Sequence, residues 1–182
     1  MANKGFTLIE LLVTIAIIGM LAAVIVPNLG KRSPQEKRMA TLAKLNGMVQ
    51  LAWRNALVTN TMHTIKFNFK EGKVAIEVPT GQYKGGMPTF KPLERSHINT
   101  EMEWPENLEV KQFILEGSDE IKLKGTSDIS VYFVIMPEGL AQDVIINFID
   151  TKDLRPDGQP KTFGLVLNPF NAQFKVYDAF QK

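Results

Sequence analysis

Residues 6–26 have the sequence FTLIELLVTIAIIGMLAAVIV, and this stretch decides how the rest of the chain is interpreted. Its only charged side chain is Glu10. As an α-helix the stretch would be about 31 Å long at about 1.5 Å per residue, which matches a hydrocarbon core of about 30 Å. We therefore predict a transmembrane helix at residues 6–26.

Three interpretations of this stretch differ in how they explain Glu10. A cleaved signal peptide has an apolar region of about 7–15 residues followed by a small-residue site, and no such site precedes Pro27. A plain signal anchor gives no reason for a carboxylate that costs about 3 kcal/mol inside a membrane. The third interpretation is self-assembly. Cleavage after Gly5 would give Phe6 a free amine, which could pair with Glu10 of an adjacent helix, since unpaired charges are disfavoured at low dielectric.

The junction at residues 4–10, KGFTLIE, resembles the class III leader junction of the type IV pilin and pseudopilin superfamily. The shared features are a short basic leader that ends in glycine, a phenylalanine, a glutamate four residues later and an unbroken apolar run. The resemblance implies cleavage after Gly5 by a prepilin peptidase and N-methylation of Phe6. It also implies that the N-terminal helices pack side by side in a filament, with Glu10 as an assembly residue.

Gly19 and Pro27 are further assembly residues implied by the resemblance, because the segment between them loosens in such filaments. Glycine weakens a helix, and an internal proline removes a backbone hydrogen bond.

The basic residues that flank the apolar run predict one membrane topology, and the resemblance implies the opposite one. Four basic residues follow the apolar run, namely Lys31, Arg32, Lys37 and Arg38. The positive-inside rule would place them in the cytoplasm, whereas the resemblance implies a single-pass inner-membrane protein with its head in the periplasm.

The charges divide the chain of 182 residues into two unlike parts. Residues 1–60 carry seven basic and two acidic side chains, a net charge of +5, and residues 61–182 carry 14 basic and 17 acidic ones, a net charge of −3. The overall charge of +2 therefore does not indicate that the C-terminal part binds nucleic acid. The chain has no cysteine, which excludes disulfides, thiolate metal sites, cysteine nucleophiles and lipid acylation.

The chain is expected to comprise a leader at 1–5, an assembly helix at 6–32, an amphipathic helix at 33–60 and a β-rich head at 61–182. Ser33 is a good N-cap for the second helix, and Pro34 suits its first position. An apolar stripe at helical spacing predicts docking on the protein's own sheet, through Met39, Leu42, Leu45, Val49, Ala52, Trp53 and Ala56. The polar side is interpreted as a solvated face or filament contacts, through Lys37, Arg38, Lys44, Gln50 and Arg54.

From residue 64 the hydrophobic period changes to two, which predicts a hairpin over residues 65–78 with its turn at Glu71-Gly72. Residues 79–107 hold four prolines and three glycines and are predicted to be a long loop, with at most a short strand at 98–102. Further strands are predicted at 108–115, 120–124, 129–136, 143–150, 161–168 and 172–178. The predicted fold class is α+β. A long N-terminal helix, transmembrane in its first half and amphipathic in its second, packs on an antiparallel head of two sheets.

The order of the C-terminal segments resembles pseudopilin H of type II secretion and the related FimT-type minor pilins. A strand ending in Pro137-Glu138-Gly139 is followed by segments at 144–150 and 163–168 and by a final strand to Asp178. This group often has Gly-Arg in its last hairpin, where the present chain has Ala172-Gln173. The basic end of FimT-type heads is linked with DNA uptake, so the missing arginine weakens a nucleic-acid role.

Catalytic and cofactor motifs are missing from the sequence. The two histidines, His63 and His97, are interpreted as structural or solvated. Asp150, Asp153 and Asp157 are not spaced as in an EF-hand, and a turn is favoured over the alternative of a calcium site. We expect no enzymatic activity, no cofactor and no metal.

The resemblance implies a mechanical function. The chain is expected to be a minor pseudopilin that joins the periplasmic pseudopilus of type II secretion and helps drive protein export across the outer membrane. Expected partners are other major and minor pseudopilins, the prepilin peptidase, and the inner-membrane assembly platform with its ATPase. Either secreted substrates or the outer-membrane channel would be a further partner. The alternatives are a FimT-type minor type IV pilin, acting in DNA uptake or twitching, and a single-span periplasmic protein that forms no filament.

Overall fold

The computed structural model describes residues 7–29, 33–94, 99–124 and 130–182. Its contacts divide the chain into two units, Met1–Lys37 and Arg38–Lys182. The predicted leader, the predicted cleavage position Gly5 and the predicted methylation site Phe6 lie outside the described residues.

The first unit holds α1, Leu8–Leu29. The helix covers the described part of the apolar stretch and continues without interruption through Gly19 and Pro27. Within the residues that the structure describes, no helix combines the length and the hydropathy needed to cross a membrane.

The second helix, α2, spans Pro34–Thr59, and its predicted cap at Ser33 is confirmed. The Glu36 amide donates to Ser33 Oγ at 3.2 Å, and the Ser33 amide donates to Glu36 Oε2 at 3.0 Å. These two bonds form a capping box, which satisfies backbone donors that the first turn would leave unpaired.

The face of α2 that packs on the head contains most of the predicted stripe and also three residues outside it, Thr41, Met48 and Asn55. Leu45, Val49, Ala52 and Ala56 are fully buried. Met39, predicted to belong to the stripe, is 52% exposed. Arg38, predicted to lie on the solvated side, is 6% exposed. Both corrections follow from helical spacing, because Arg38 begins the series of buried positions at three- and four-residue steps, whereas Met39 lies at the edge of that face. Gln50, also predicted to lie on the polar side, donates to the Ala172 carbonyl of the head at 3.0 Å.

The head contains two antiparallel sheets, which confirms the predicted α+β class. The first has the order β3-β2-β1-β7, with β4 also paired to β2, and consists of β1 His63–Asn68, β2 Lys73–Lys84, β3 Met87–Pro92, β4 Glu101–Glu103 and β7 Ser130–Ile135. The second has the order β10-β9-β8-β5-β6 and consists of β5 Leu108–Leu115, β6 Ser118–Asp119, β8 Val144–Leu154, β9 Pro160–Asn168 and β10 Gln173–Tyr177. A single core connects the two sheets, and Phe67 of the first and Phe113 of the second meet edge to face at 5.3 Å.

The predicted long loop at 79–107 is wrong over its first half. Residues 79–92, named here the arm, form the end of β2 and the whole of β3. Lys84 pairs with Met87 across a two-residue turn, in which Gly85 and Gly86 have φ of 61° and 80°. Two positive φ values are what a type I′ hairpin turn requires, and glycine adopts them without strain. Pro88 and Pro92 are tolerated because β3 is an edge strand, and Pro79 lies on β2 beyond the residues that pair with β1.

The predicted strand at 120–124 is also wrong, since residues Glu120–Lys124 form the short helix α3. Asp119 Oδ1 accepts the Ile121 amide at 3.2 Å, which caps the start of this helix. Side-chain capping by aspartate favours a helical turn over continued strand pairing.

Arg38 connects α2 to the second sheet through a group of charged side chains. Its Nη1 lies 2.9 Å from Asp150 Oδ2 and 2.9 Å from Asp153 Oδ2, and its guanidinium carbon lies 3.9 Å from the Phe163 ring centroid. Lys161 Nζ lies 2.8 Å from the other oxygen of Asp153. Asp150 and Asp153 belong to strand β8, and the predicted turn at Pro156 and Gly158 follows it, closed by the Arg155 amide, which donates to the Gln159 carbonyl at 2.8 Å.

The C-terminal tail, residues 178–182, is held against the second sheet by a buried asparagine. Asn147 Nδ2 donates to the Gln181 carbonyl at 2.8 Å, and Asn147 Oδ1 accepts the Gln181 amide at 2.9 Å. Gly164 leaves the space that the tail occupies, because a Cβ there would lie 2.7 Å from the Ala179 carbonyl oxygen. The side-chain amide of Asn147 thus binds the tail as a neighbouring strand would.

Candidate assembly surface

Helix α1 presents apolar side chains in every direction. Ten large apolar residues between Leu8 and Leu21 are each at least 51% exposed. A helix that packs on its own domain has one apolar face and one polar face. A helix that is apolar all round requires an apolar environment, which either a lipid bilayer or other apolar helices can supply.

Glu10 is the only charged residue of α1, and its carboxylate forms no ion pair with any described residue. Its Oε2 accepts a long hydrogen bond of 3.5 Å from Thr7 Oγ1, while the Glu10 amide donates to the same hydroxyl at 3.3 Å. The Thr7 hydroxyl thus caps the first turn by accepting the Glu10 amide, and the Glu10 carboxylate lies at the helix end where the macrodipole favours an anion. Among the described residues, no cationic side chain neutralises its negative charge.

The structure places the other predicted assembly residues on α1 without bringing them together. A Cβ added at Gly19 would meet no atom within 4 Å, so this glycine is not required by a contact within the described chain. Pro27 lies inside the helical range of α1. The expected loosening of this segment on assembly remains a prediction.

The side chains that could suggest chemistry in the head have structural roles. His63 is 2% exposed, and its Nδ1 lies 2.8 Å from the Thr61 carbonyl oxygen, while His97 lies outside the described residues. Trp53 donates to the Gly139 carbonyl at 2.7 Å, and Trp104 donates to the Leu108 carbonyl at 2.6 Å. Across the described residues, no group of three or more His, Cys, Asp or Glu side chains could hold a metal ion.

Residues 1–26 match the family model described as the prokaryotic N-terminal methylation motif. About a quarter of the chain is similar to each of two pilins. It is 44% identical over 46 residues to the type IV major pilin protein PilA of Myxococcus xanthus, covering 25% of this chain and 21% of that protein. It is 51% identical over 47 residues to the type IV wide pilus major component PilA4 of Thermus thermophilus, covering 26% and 36%. The matches therefore span about a fifth and about a third of these relatives.

The fold resembles that of the minor pseudopilin EpsH from the type 2 secretion system of Vibrio cholerae. The TM-score is 0.52, and the match covers 77% of this chain and 95% of EpsH at 8% identity. The chain has the N-terminal motif and the fold of the type IV pilin and pseudopilin superfamily. Pilins and pseudopilins are structural proteins, and the methylation motif is typical of membrane-anchored pilins processed at the inner membrane. The candidate assembly surface of this pilin-like chain is therefore α1.

Proposed function

We propose that this pilin-like chain is a minor pseudopilin, which assembles into the periplasmic pseudopilus of type II secretion and helps drive protein export across the outer membrane. Residues 6–26 hold it in the inner membrane before assembly, with the head in the periplasm. The observation that carries the proposal is the carboxylate of Glu10, which has no cationic partner among the described residues and lies on a helix that is apolar on every side.

The cation for Glu10 is supplied by a neighbouring subunit. Cleavage after Gly5 by the prepilin peptidase gives Phe6 a new amino group, one helical turn before Glu10. An uncompensated charge is strongly disfavoured in an apolar medium, whereas a pair at short distance is much less so. Pairing between staggered helices therefore favours filament entry and also fixes the axial register of adjacent subunits.

The remaining partners follow from the same mechanism. The apolar faces of α1 pack against other pseudopilin helices, and the absence of a side chain at Gly19 permits close approach. Because the chain carries no nucleotide-binding motif, an assembly ATPase acting through an inner-membrane platform supplies the free energy. The head lies outward, where it meets other pseudopilins and either secreted substrates or the outer-membrane channel.

The choice of the pseudopilus over a pilus is supported by two features. The fold is similar to that of EpsH, and the chain has no cysteine for the disulfide that closes the C-terminal loop of many type IV pilins. The second candidate, a minor type IV pilin in twitching or DNA uptake, is favoured by the similarity of about a quarter of the chain to pilus subunits. The net charge of −3 on residues 61–182 weakens a DNA-binding role.

Mass spectrometry of the mature protein tests the processing on which the proposal rests. We expect the purified chain to begin at Phe6 with one added methyl group, and any other N-terminus would overturn the filament mechanism. Deletion of the gene in its own bacterium then separates the two filaments. A pseudopilin deletion lowers the amount of exported protein in the medium, whereas loss of twitching or DNA uptake with normal export would identify a pilin.

A further inference from the structure

The arm, residues 79–92, projects charge of one sign from the edge of the first sheet. Lys84 and Lys91 are its only charged residues, and both are exposed and form no ion pair with another described residue. Tyr83 and Met87 flank the tip of the arm and are 75% and 71% exposed. Aromatic residues and methionine are enriched where proteins contact one another, and lysine at a rim steers association. The tip therefore has the composition of a contact surface.

The arm is held in a fixed shape by its own contacts. Thr89 Oγ1 donates to the Gln82 carbonyl at 3.1 Å across the irregularity in β2, and the Phe90 ring lies 6.2 Å from the Tyr132 ring of β7. A preorganised hairpin loses little conformational entropy on binding. A solvated loop, in contrast, would lose conformational entropy because its partner would have to order it.

Carboxylates of opposite charge to the arm lie at the other end of β2. Glu101, Glu103 and Glu106, named here the acidic edge, occupy β4 and the turn after it, and all three are exposed and without an ion pair among the described residues. Lys73 lies across from Glu103 in the sheet register and offsets one charge. Three carboxylates against one ammonium leave a net charge of −2, which equals in magnitude the +2 of the arm.

We infer that the arm of one copy docks on the acidic edge of a second copy of this chain. Among the described strands β3 and β4 pair only with β2, so both surfaces lie on an unpaired sheet edge. Because the two surfaces differ and lie at opposite ends of one strand, the contact is heterologous. A heterologous contact that does not close into a ring continues as a helix. The inference deepens the proposed filament role and rests on it, since filament entry brings subunits side by side, and the inference adds that further copies of this chain are among them.

Cross-linking of the full chain tests this contact, because the absence of native cysteine leaves only the introduced thiols to react. Met87→Cys places a neutral reporter on the arm, and Asn99→Cys places one on an exposed position beside the acidic edge. Two differently tagged copies, one with each substitution, are produced together in cells that have the prepilin peptidase, and membranes are oxidised. We expect several-fold more disulfide dimer from the Met87→Cys and Asn99→Cys pair than from either cysteine alone. The control pair, Met87→Cys with Asp157→Cys, should also give less dimer, because Asp157 is exposed outside both surfaces.

Exchanging the charges of the arm and of the acidic edge tests whether electrostatic attraction holds the two surfaces together. Lys84→Glu with Lys91→Glu in the Met87→Cys copy should return cross-linking to the control level, and Glu101→Lys with Glu103→Lys in the Asn99→Cys partner should restore it. Absence of the mixed dimer, equal dimer from Met87→Cys alone, or failure of the exchange to restore it would each overturn the inference. Filament entry is measured in the same cells by shearing and sedimentation. Normal entry without the mixed dimer overturns only the arm contact, whereas loss of both also counts against the proposed function.

Discussion

Arg38 and Asp150 form a buried ion pair at 2.9 Å, with exposed fractions of 6% and 0% for the two side chains. The pair joins α2 to β8, and the remaining Asp150 oxygen accepts Asn107 Nδ2 at 2.8 Å. Burial of charge is tolerated here because each polar atom has a close partner.

Replacing Arg38→Ala should lower the free energy of unfolding by about 3–5 kcal/mol, since Asp150 would remain buried without its counter-charge. Urea unfolding in detergent, followed by the fluorescence of Trp53 and Trp104, measures the change. Arg54→Ala is the matched control, because Arg54 lies on the same helix but is exposed and should cost no more than about 0.5 kcal/mol. Equal effects of the two substitutions would show that the pair does not anchor the helix.

Protonation of the Asp153 carboxyl group should make the head less stable, and this loss should occur only at acidic pH. The hydrogen bond from Lys161 lowers the pKa of Asp153 below its usual value of 3.8, with Arg38 adding to the effect and burial opposing it. A lowered pKa in the folded state contributes stability above the unfolded value, and this contribution is lost as the pH falls through the folded value. Lys161→Met should raise the pKa of Asp153, as measured by carbon NMR of its carboxyl group. Lys152→Met, on an exposed neighbour, should leave that titration unchanged.

Gly164→Ala should displace the C-terminal tail. The added Cβ would lie 2.6 Å from Gln181 Cγ and 2.7 Å from the Ala179 carbonyl oxygen, and the second of these contacts is with backbone. We expect a loss of about 1–3 kcal/mol and faster hydrogen exchange at residues 179–182. Gly47→Ala on α2 meets nothing within 4 Å and should instead stabilise the chain by up to about 1 kcal/mol. Unchanged hydrogen exchange at residues 179–182 in the Gly164→Ala variant would contradict the conclusion that Gly164 leaves space for the tail.

Glu10→Ala should leave leader cleavage intact but reduce filament entry by about tenfold or more, since each 1.4 kcal/mol of lost pairing is about a factor of ten. Immunoblotting of sheared filaments against total membrane protein gives the ratio. Thr14→Ala is a suitable control, because its hydroxyl contacts only the Glu10 and Leu11 carbonyls. Normal entry of the Glu10 variant would remove the assembly role of this carboxylate.

The sequence predicted those parts of the fold in which the signal is local. The stripe on α2 contains Leu45, Val49 and Ala52, and their helical spacing alone indicated the buried face. The hairpin of β1 and β2 followed from alternation and from the turn at Glu71-Gly72. Both patterns are complete within about a dozen residues, so no distant contact was needed to interpret them.

The errors occurred where a distant partner or an edge position decides the structure. Arg38 appeared to be a solvated cation because Asp150 lies 112 residues away in the sequence. Proline and glycine in the arm indicated a loop, although prolines such as Pro88 fit an edge strand and Gly85-Gly86 fit its turn. The segment at 120–124 was predicted to be a strand, but five residues are too few to separate helix from strand by period.

The way Asn147 holds Gln181 has a practical consequence for labelling. Lys182 is exposed and follows directly after the residue that this asparagine fixes. A fluorophore or spin label attached at Lys182 should therefore tumble with the head, so that its anisotropy reports the rotational motion of the whole β-rich part when subunits are captured.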